Sequence, residues 1–119
     1  MTKVLVVEDN LLNMELVLAI LETFGFDAYE AIDGEESLKM VDKDVFDLIL
    51  MDIELPGMDG VEAAKKIKIK YKNLPIIALT SYAMKGDRER FLSAGFEEYV
   101  SKPIDISDFH KRLEKYRKQ

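Results

Sequence analysis

Phe46-Asp47-Leu48-Ile49-Leu50-Met51-Asp52-Ile53-Glu54-Leu55-Pro56-Gly57-Met58-Asp59-Gly60 is the stretch that decides how this chain is read. It opens as an apolar, β-rich run, halts on an aspartate and turns through Pro56-Gly57. It restarts at Asp59 with Glu62 three residues on, the spacing of a helix cap. A run apolar at nearly every position belongs to a strand buried on both faces, and such strands sit in parallel sheets covered by helices. The strand is read as Phe46–Met51, which leaves Asp52 as the first polar group beyond it.

The same alternation extends in both directions. Lys3–Val7, Pro75–Leu79 and Glu97–Val100 are further strand runs, and Asp27–Ala31 is a weaker one suited to an edge. Helix-period segments fall between them. The first spans about Leu11 to Phe24 and stops at Gly25. The second starts at Asp33 with Glu36 and ends near Val41–Asp44, and the third starts at Asp59. The fourth lies within Met84–Ser93, and the fifth runs from about Ile106 to Tyr116 behind Asp105 or Ser107. Ile67-Lys68-Ile69-Lys70 alternates like a strand, but Val61, Ala64, Ile67 and Tyr71 share one helical face, so it is assigned to the third helix. The first helix is apolar on more than one side. Leu12, Leu16, Val17, Ala19, Ile20, Leu21 and Phe24 are expected to fill the core and its margins, with Leu11, Met14 and Leu18 as a second row suited to docking.

Five β-α units in series mean an α/β fold, a doubly wound five-stranded parallel sheet with five helices on its two faces. Composition agrees with one domain over residues 1–119. The chain has no cysteine, no apolar stretch near the ~18 residues of a membrane span, and a formal net charge of -6. That charge argues against nucleic acid as a direct partner and the hydropathy against a membrane, so the expected location is cytoplasmic. The basic runs at Lys65–Lys72 and Lys111–Lys118 read as solvated helix faces, and His110 as a surface residue of the last helix.

In a sheet of this kind the site lies beyond the carboxyl ends of the strands. Glu8-Asp9-Asn10, Asp52, Thr80-Ser81 and Ser101-Lys102-Pro103 occupy those ends. Singly, each has a plainer reading: Asn10 as a helix cap, Thr80 as a turn residue, Lys102 as a solvated lysine. Together they put three carboxylates, a hydroxyl and one ammonium at one edge. Carboxylates about 4 Å apart repel by a few kcal/mol and invite a hard divalent cation. The ammonium and hydroxyl then suit an incoming anion. The set has the makings of phosphoryl transfer onto a carboxylate.

With those residues in place, the sequence resembles the response-regulator receiver domain of two-component signalling from Lys3 to about Arg117. The resemblance rests on Glu8-Asp9, Asp52-Ile53-Glu54-Leu55-Pro56-Gly57-Met58-Asp59-Gly60, Thr80 and Lys102-Pro103. Ala83-Met84-Lys85-Gly86-Asp87 and Tyr99-Val100-Ser101-Lys102-Pro103-Ile104 are similar to single-domain regulators of the cell-division type and to receivers of hybrid kinases. The resemblance implies the strand order 2-1-3-4-5 and assigns roles. Asp52 would accept a phosphoryl group from a sensor histidine kinase or a histidine phosphotransfer protein. Glu8, Asp9, Asp52 and the backbone carbonyl of Glu54 would hold Mg2+, with Mn2+ able to substitute. Lys102, before a cis proline, would pair with a phosphoryl oxygen, Thr80 would move toward it, and Tyr99 would turn inward. Glu54 and Tyr82 would flank the phosphoryl group, with Tyr82 screening it from water. No output domain is present in 119 residues, so the signal is expected to pass to a downstream protein through the fourth helix, fifth strand and fifth helix.

Two other classes fit less well. An aspartyl phosphohydrolase would use an acid two residues after the nucleophile, where Glu54 stands, but 119 residues leave no substrate cap. A nucleotide-binding domain would need a glycine-rich loop after the first strand, and none follows. The expectation is a signalling module with no separate substrate turnover.

Overall fold

The computed structural model describes residues 1–81 and 86–118. Its elements alternate strictly: β1 (Lys3–Val7), α1 (Leu11–Thr23), β2 (Asp27–Ala31), α2 (Gly34–Lys43), β3 (Leu48–Asp52), α3 (Gly60–Lys70), β4 (Ile76–Thr80), α4 (Asp87–Ser93), β5 (Glu98–Ser101) and α5 (Ile106–Glu114). All four strand pairings are parallel, and the order is β2-β1-β3-β4-β5.

Period-two alternation splits each central strand between two cores. Leu5, Val7, Ile49, Met51, Ile76 and Ala78 face one side, where Ala63, Ala64 and Ile67 of α3 and Phe91 of α4 cover them. Val4, Val6, Leu48, Leu50, Ile77 and Leu79 face the other, under α1 and α5. The helices start where short polar side chains satisfy orphan amides. Asn10, Asp33, Asp59 and Asp105 each accept from the amide three residues on.

Several boundaries move from their expected places. β3 begins at Leu48 and includes Asp52, whose partner in register is Leu79. Phe46 lies before the strand yet is buried, its ring edge-on to Tyr29. β4 and β5 likewise each run one residue further than expected, to Thr80 and Ser101. α5 stops at Glu114 rather than Tyr116. α4 begins at Asp87, and the earlier part of its expected span, with Tyr82, lies outside the described residues.

α1 corrects the expected division of its faces. Met14, Val17, Ile20 and Leu21 are the buried residues, whereas Leu12, Leu16 and Ala19 are exposed. With apolar side chains on most sides, periodicity could not choose a stripe; packing against the sheet does, burying Met14, Val17, Ile20 and Leu21. In α3 the alternating run is helical as read, with Ile67 buried and Ile69 77% exposed.

Candidate active site at the carboxyl ends of the strands

The end of β1 continues into Glu8, whose amide donates to Ala31 O at 3.1 Å and so keeps the chain in register with β2. That places the Glu8 side chain inside the edge, 1% exposed, while Asp9 stays open to solvent. Asn10 turns the chain into α1, its amide reaching back to Glu8 Oε2 at 3.3 Å.

Asp52 closes β3 and is 3% exposed. The following loop folds tightly on it. Glu54 N donates to Asp52 Oδ1 at 3.0 Å, and Leu55 N and Gly60 N both reach Ile53 O at 3.1 Å. Gly60 passes so close that an added Cβ would sit 2.1 Å from Asp52 O, which only a residue without a side chain permits. Gly57, at φ +70, makes the turn that brings Asp59 to the start of α3.

Thr80 ends β4 and is 1% exposed. Lys102 follows β5 and donates its amide to Thr80 O at 2.8 Å, extending the ladder by one rung before the cis Lys102–Pro103 bond. From there Nζ crosses the strand ends to Glu8 Oε1 at 2.9 Å and Asp52 Oδ2 at 3.0 Å. One carboxylate oxygen each from Glu8, Asp9 and Asp52 lies within 4.8 Å of the others.

Two carboxylates, Glu8 and Asp52, thus share one ammonium, and the exposed Asp9 adds a third negative charge beside them. Burial pushes the Glu8 carboxyl above its ordinary range, the hydrogen-bonded Asp52 pushes the same way, and Lys102 only partly offsets them. Burial would lower the Lys102 ammonium, but its bonds to Glu8 and Asp52 outweigh that and raise it. Two unit charges at about 4 Å interact by roughly 4 kcal/mol at an effective dielectric of 20, so the excess acid is a standing cost in the metal-free protein. An all-oxygen carboxylate cluster is the donor chemistry that a hard cation such as magnesium takes, with water completing its shell.

Of the expected site residues, Glu8, Asp9, Asp52, Glu54, Thr80 and Lys102 converge, while Tyr82 lies outside the described residues. Tyr99 stands apart, half-buried on β5 with its ring edge-on to Phe91 at 5.6 Å. One contact had no signal in the sequence. The Glu54 side chain bridges to the next strand end, Oε2 accepting from Thr80 Oγ1 and Oε1 from Ser81 N, each at 3.3 Å.

This arrangement has counterparts. The chain matches the response regulator receiver domain model over residues 4–114. It is 42% identical to the polar-differentiation response regulator DivK of Brucella ovis over 119 residues, 98% of this chain and 97% of that one. The receiver domain of the sensor histidine kinase PA1611 of Pseudomonas aeruginosa, solved with a magnesium ion coordinated in its active site cleft, superposes with a TM-score of 0.88. That domain is 34% identical, covering 97% of this chain and 96% of the other. The Saccharomyces cerevisiae Ssk1 receiver domain, crystallised with the histidine phosphotransfer protein Ypd1, gives 0.90 at 28% identity, covering 97% and 88%. The chain belongs to the response regulator receiver domain family of two-component signalling.

Proposed function

We propose that Asp52 is the phosphoryl acceptor of this receiver and that residues 1–119 act as one unit. The observation that carries this is the pairing of a buried, strand-ending carboxylate with Lys102 Nζ at 3.0 Å inside the Glu8-Asp9 cluster. An Asp52 oxygen would attack phosphorus as the phosphorus–nitrogen bond of a phosphohistidine breaks, and the departing imidazole takes a proton from solvent. Glu8, Asp9, Asp52 and the Glu54 carbonyl would hold Mg2+ or Mn2+, which when bound supplies charge neutralisation to the phosphoryl oxygens. Lys102 would move from its carboxylates to a phosphoryl oxygen, and the Thr80 hydroxyl would donate to another.

The surroundings support a protein partner at each step. Leu12, Leu16 and Ala19 form an exposed row at i, i+4 and i+7 on α1, with Leu11 beside it nearer the site. Such a row fits the helical bundle of a sensor histidine kinase or histidine phosphotransfer protein. Output would pass through the α4–β5–α5 face, where a groove of about 360 Å³ is lined by Phe91, Leu92, Tyr99 and Pro103. Tyr99 would turn inward as Thr80 moves. No helix among the described residues is long and apolar enough to cross a membrane. The module is read as cytoplasmic and as working without a separate substrate, and the acidic net charge of -6 supports a reading without nucleic acid.

The test is uptake of one phosphoryl group, read by intact mass, from acetyl phosphate with magnesium. Asp52→Asn is expected to abolish it. Absence of uptake under conditions that label another receiver overturns the assignment. Turnover of a small phosphate ester would instead favour a phosphohydrolase.

A further inference from the structure

Glu54 is exposed, yet both of its carboxylate oxygens are engaged across the gap between two loops. Its amide touches the proposed acceptor through Asp52 Oδ1, while its side chain holds the Thr80 hydroxyl and the Ser81 amide. The strand end does not depend on this bridge. Thr80 is in register with Ser101, and its carbonyl takes the Lys102 amide. A glutamate that fills no core and spans from one strand end to the next acts on the Thr80 hydroxyl and the Ser81 amide.

We propose that Glu54 is a positioning residue, a resting-state latch that occupies the Thr80 hydroxyl and Ser81 amide until a phosphoryl group on Asp52 takes them over. This rests on the reading of Asp52 and Thr80 given above. A phosphoryl group brings about 1.5 to 2 negative charges and three strong acceptor oxygens. It outcompetes a carboxylate for the same two donors and repels Glu54, so one event both opens the latch and captures what the latch held. Before that event, the bridge lowers the fraction of molecules whose Thr80 hydroxyl is available.

Three full-chain variants separate latch from charge. Glu54→Ala removes both contacts. Glu54→Asp keeps the charge but is one methylene too short to serve both donors. Glu54→Gln keeps the length and loses the charge. Ser81 amide hydrogen exchange in the unphosphorylated proteins is expected to rise roughly 3- to 10-fold in the Ala and Asp variants, the size set by losing one or two exposed hydrogen bonds to a charged acceptor, and less in Gln. Labelling by acetyl phosphate is expected to accelerate in the same order. Unchanged exchange in Glu54→Ala, or a Glu54→Asp variant that matches wild type in both measurements, overturns the latch. No labelling even in the wild type would overturn the reading of Asp52, while the exchange measurement still decides whether Glu54 holds the turn.

Discussion

Glu8 and Glu98 are both glutamates at the margins of the same sheet, and their surroundings are opposite. Glu98, on β5, is surrounded by donors. Arg112 Nη1 reaches Oε1 at 2.8 Å, while Tyr116 Oη at 2.7 Å and Lys115 Nζ at 3.2 Å reach Oε2. Burial alone would raise its carboxyl, but Tyr116, Arg112 and Lys115 outweigh it and hold Glu98 below the usual range. Among the described residues Glu8 has one cation, shared with Asp52, and is held above the usual range. The first environment ties α5 to the sheet edge and is complete in itself. The second leaves excess negative charge, which favours the fold only when a cation arrives. Structure and function have divided the two acids between them.

Removing the cation each acid depends on should break the comparison most sharply. Lys102→Met leaves Glu8 and Asp52 buried without a counter-ion and is expected to cost about 3 kcal/mol in EDTA, the scale for breaking a buried pair. Thermal unfolding should recover much of that loss on adding magnesium, because the metal replaces the missing charge. A smaller effect is expected at the other pole. Glu98→Gln keeps one acceptor but loses the charge-assisted bonds, which should cost about 1–2 kcal/mol at neutral pH and respond little to magnesium. Equal responses of the two variants to magnesium would erase the distinction between the two sites.

These differences were legible in the sequence only where they are local. The caps at Asn10, Asp33, Asp59 and Asp105 could be read because each acts on an amide three residues away. The converging acids, Thr80 and Lys102 could be read because each ends an apolar run, and a parallel sheet brings those ends together. The buried face of α1 could not, since Leu12 and Leu16 are as apolar as Met14 and Val17, and only packing on the sheet separates them. Nor could the Glu54 bridge, which depends on the gap between two loops 26 residues apart in sequence. The Glu98 cluster is similarly a product of α5's position over β5, invisible in a run of charges that reads as a solvated face.

The smallest expected effect sharpens the comparison most, because it turns on sign. Glu98's carboxyl is lowered in the fold, so its contribution is present above the ordinary value of 4.5 and is lost as pH falls through the folded value below it. Glu8's is raised, so the folded protein holds that proton more tightly than the unfolded chain. Its ionisation therefore lowers stability as pH rises from 4.5 through the folded value, and the cost persists at neutral pH. Glu8→Gln should remove that cost, leaving the metal-free protein up to about 1 kcal/mol more stable at pH 7, a size set by one like-charge neighbour partly offset by Lys102. The gain should vanish as pH falls below 4.5, where wild type becomes protonated in both states. Magnesium should reverse the order at pH 7, since the wild type gains binding free energy that the variant, short one carboxylate, does not. Denaturant unfolding between pH 4 and 7, with and without the metal, reads all three signs. A Glu8→Gln protein less stable than wild type in EDTA at pH 7 would mean that Lys102 satisfies Glu8 as fully as Arg112, Lys115 and Tyr116 satisfy Glu98.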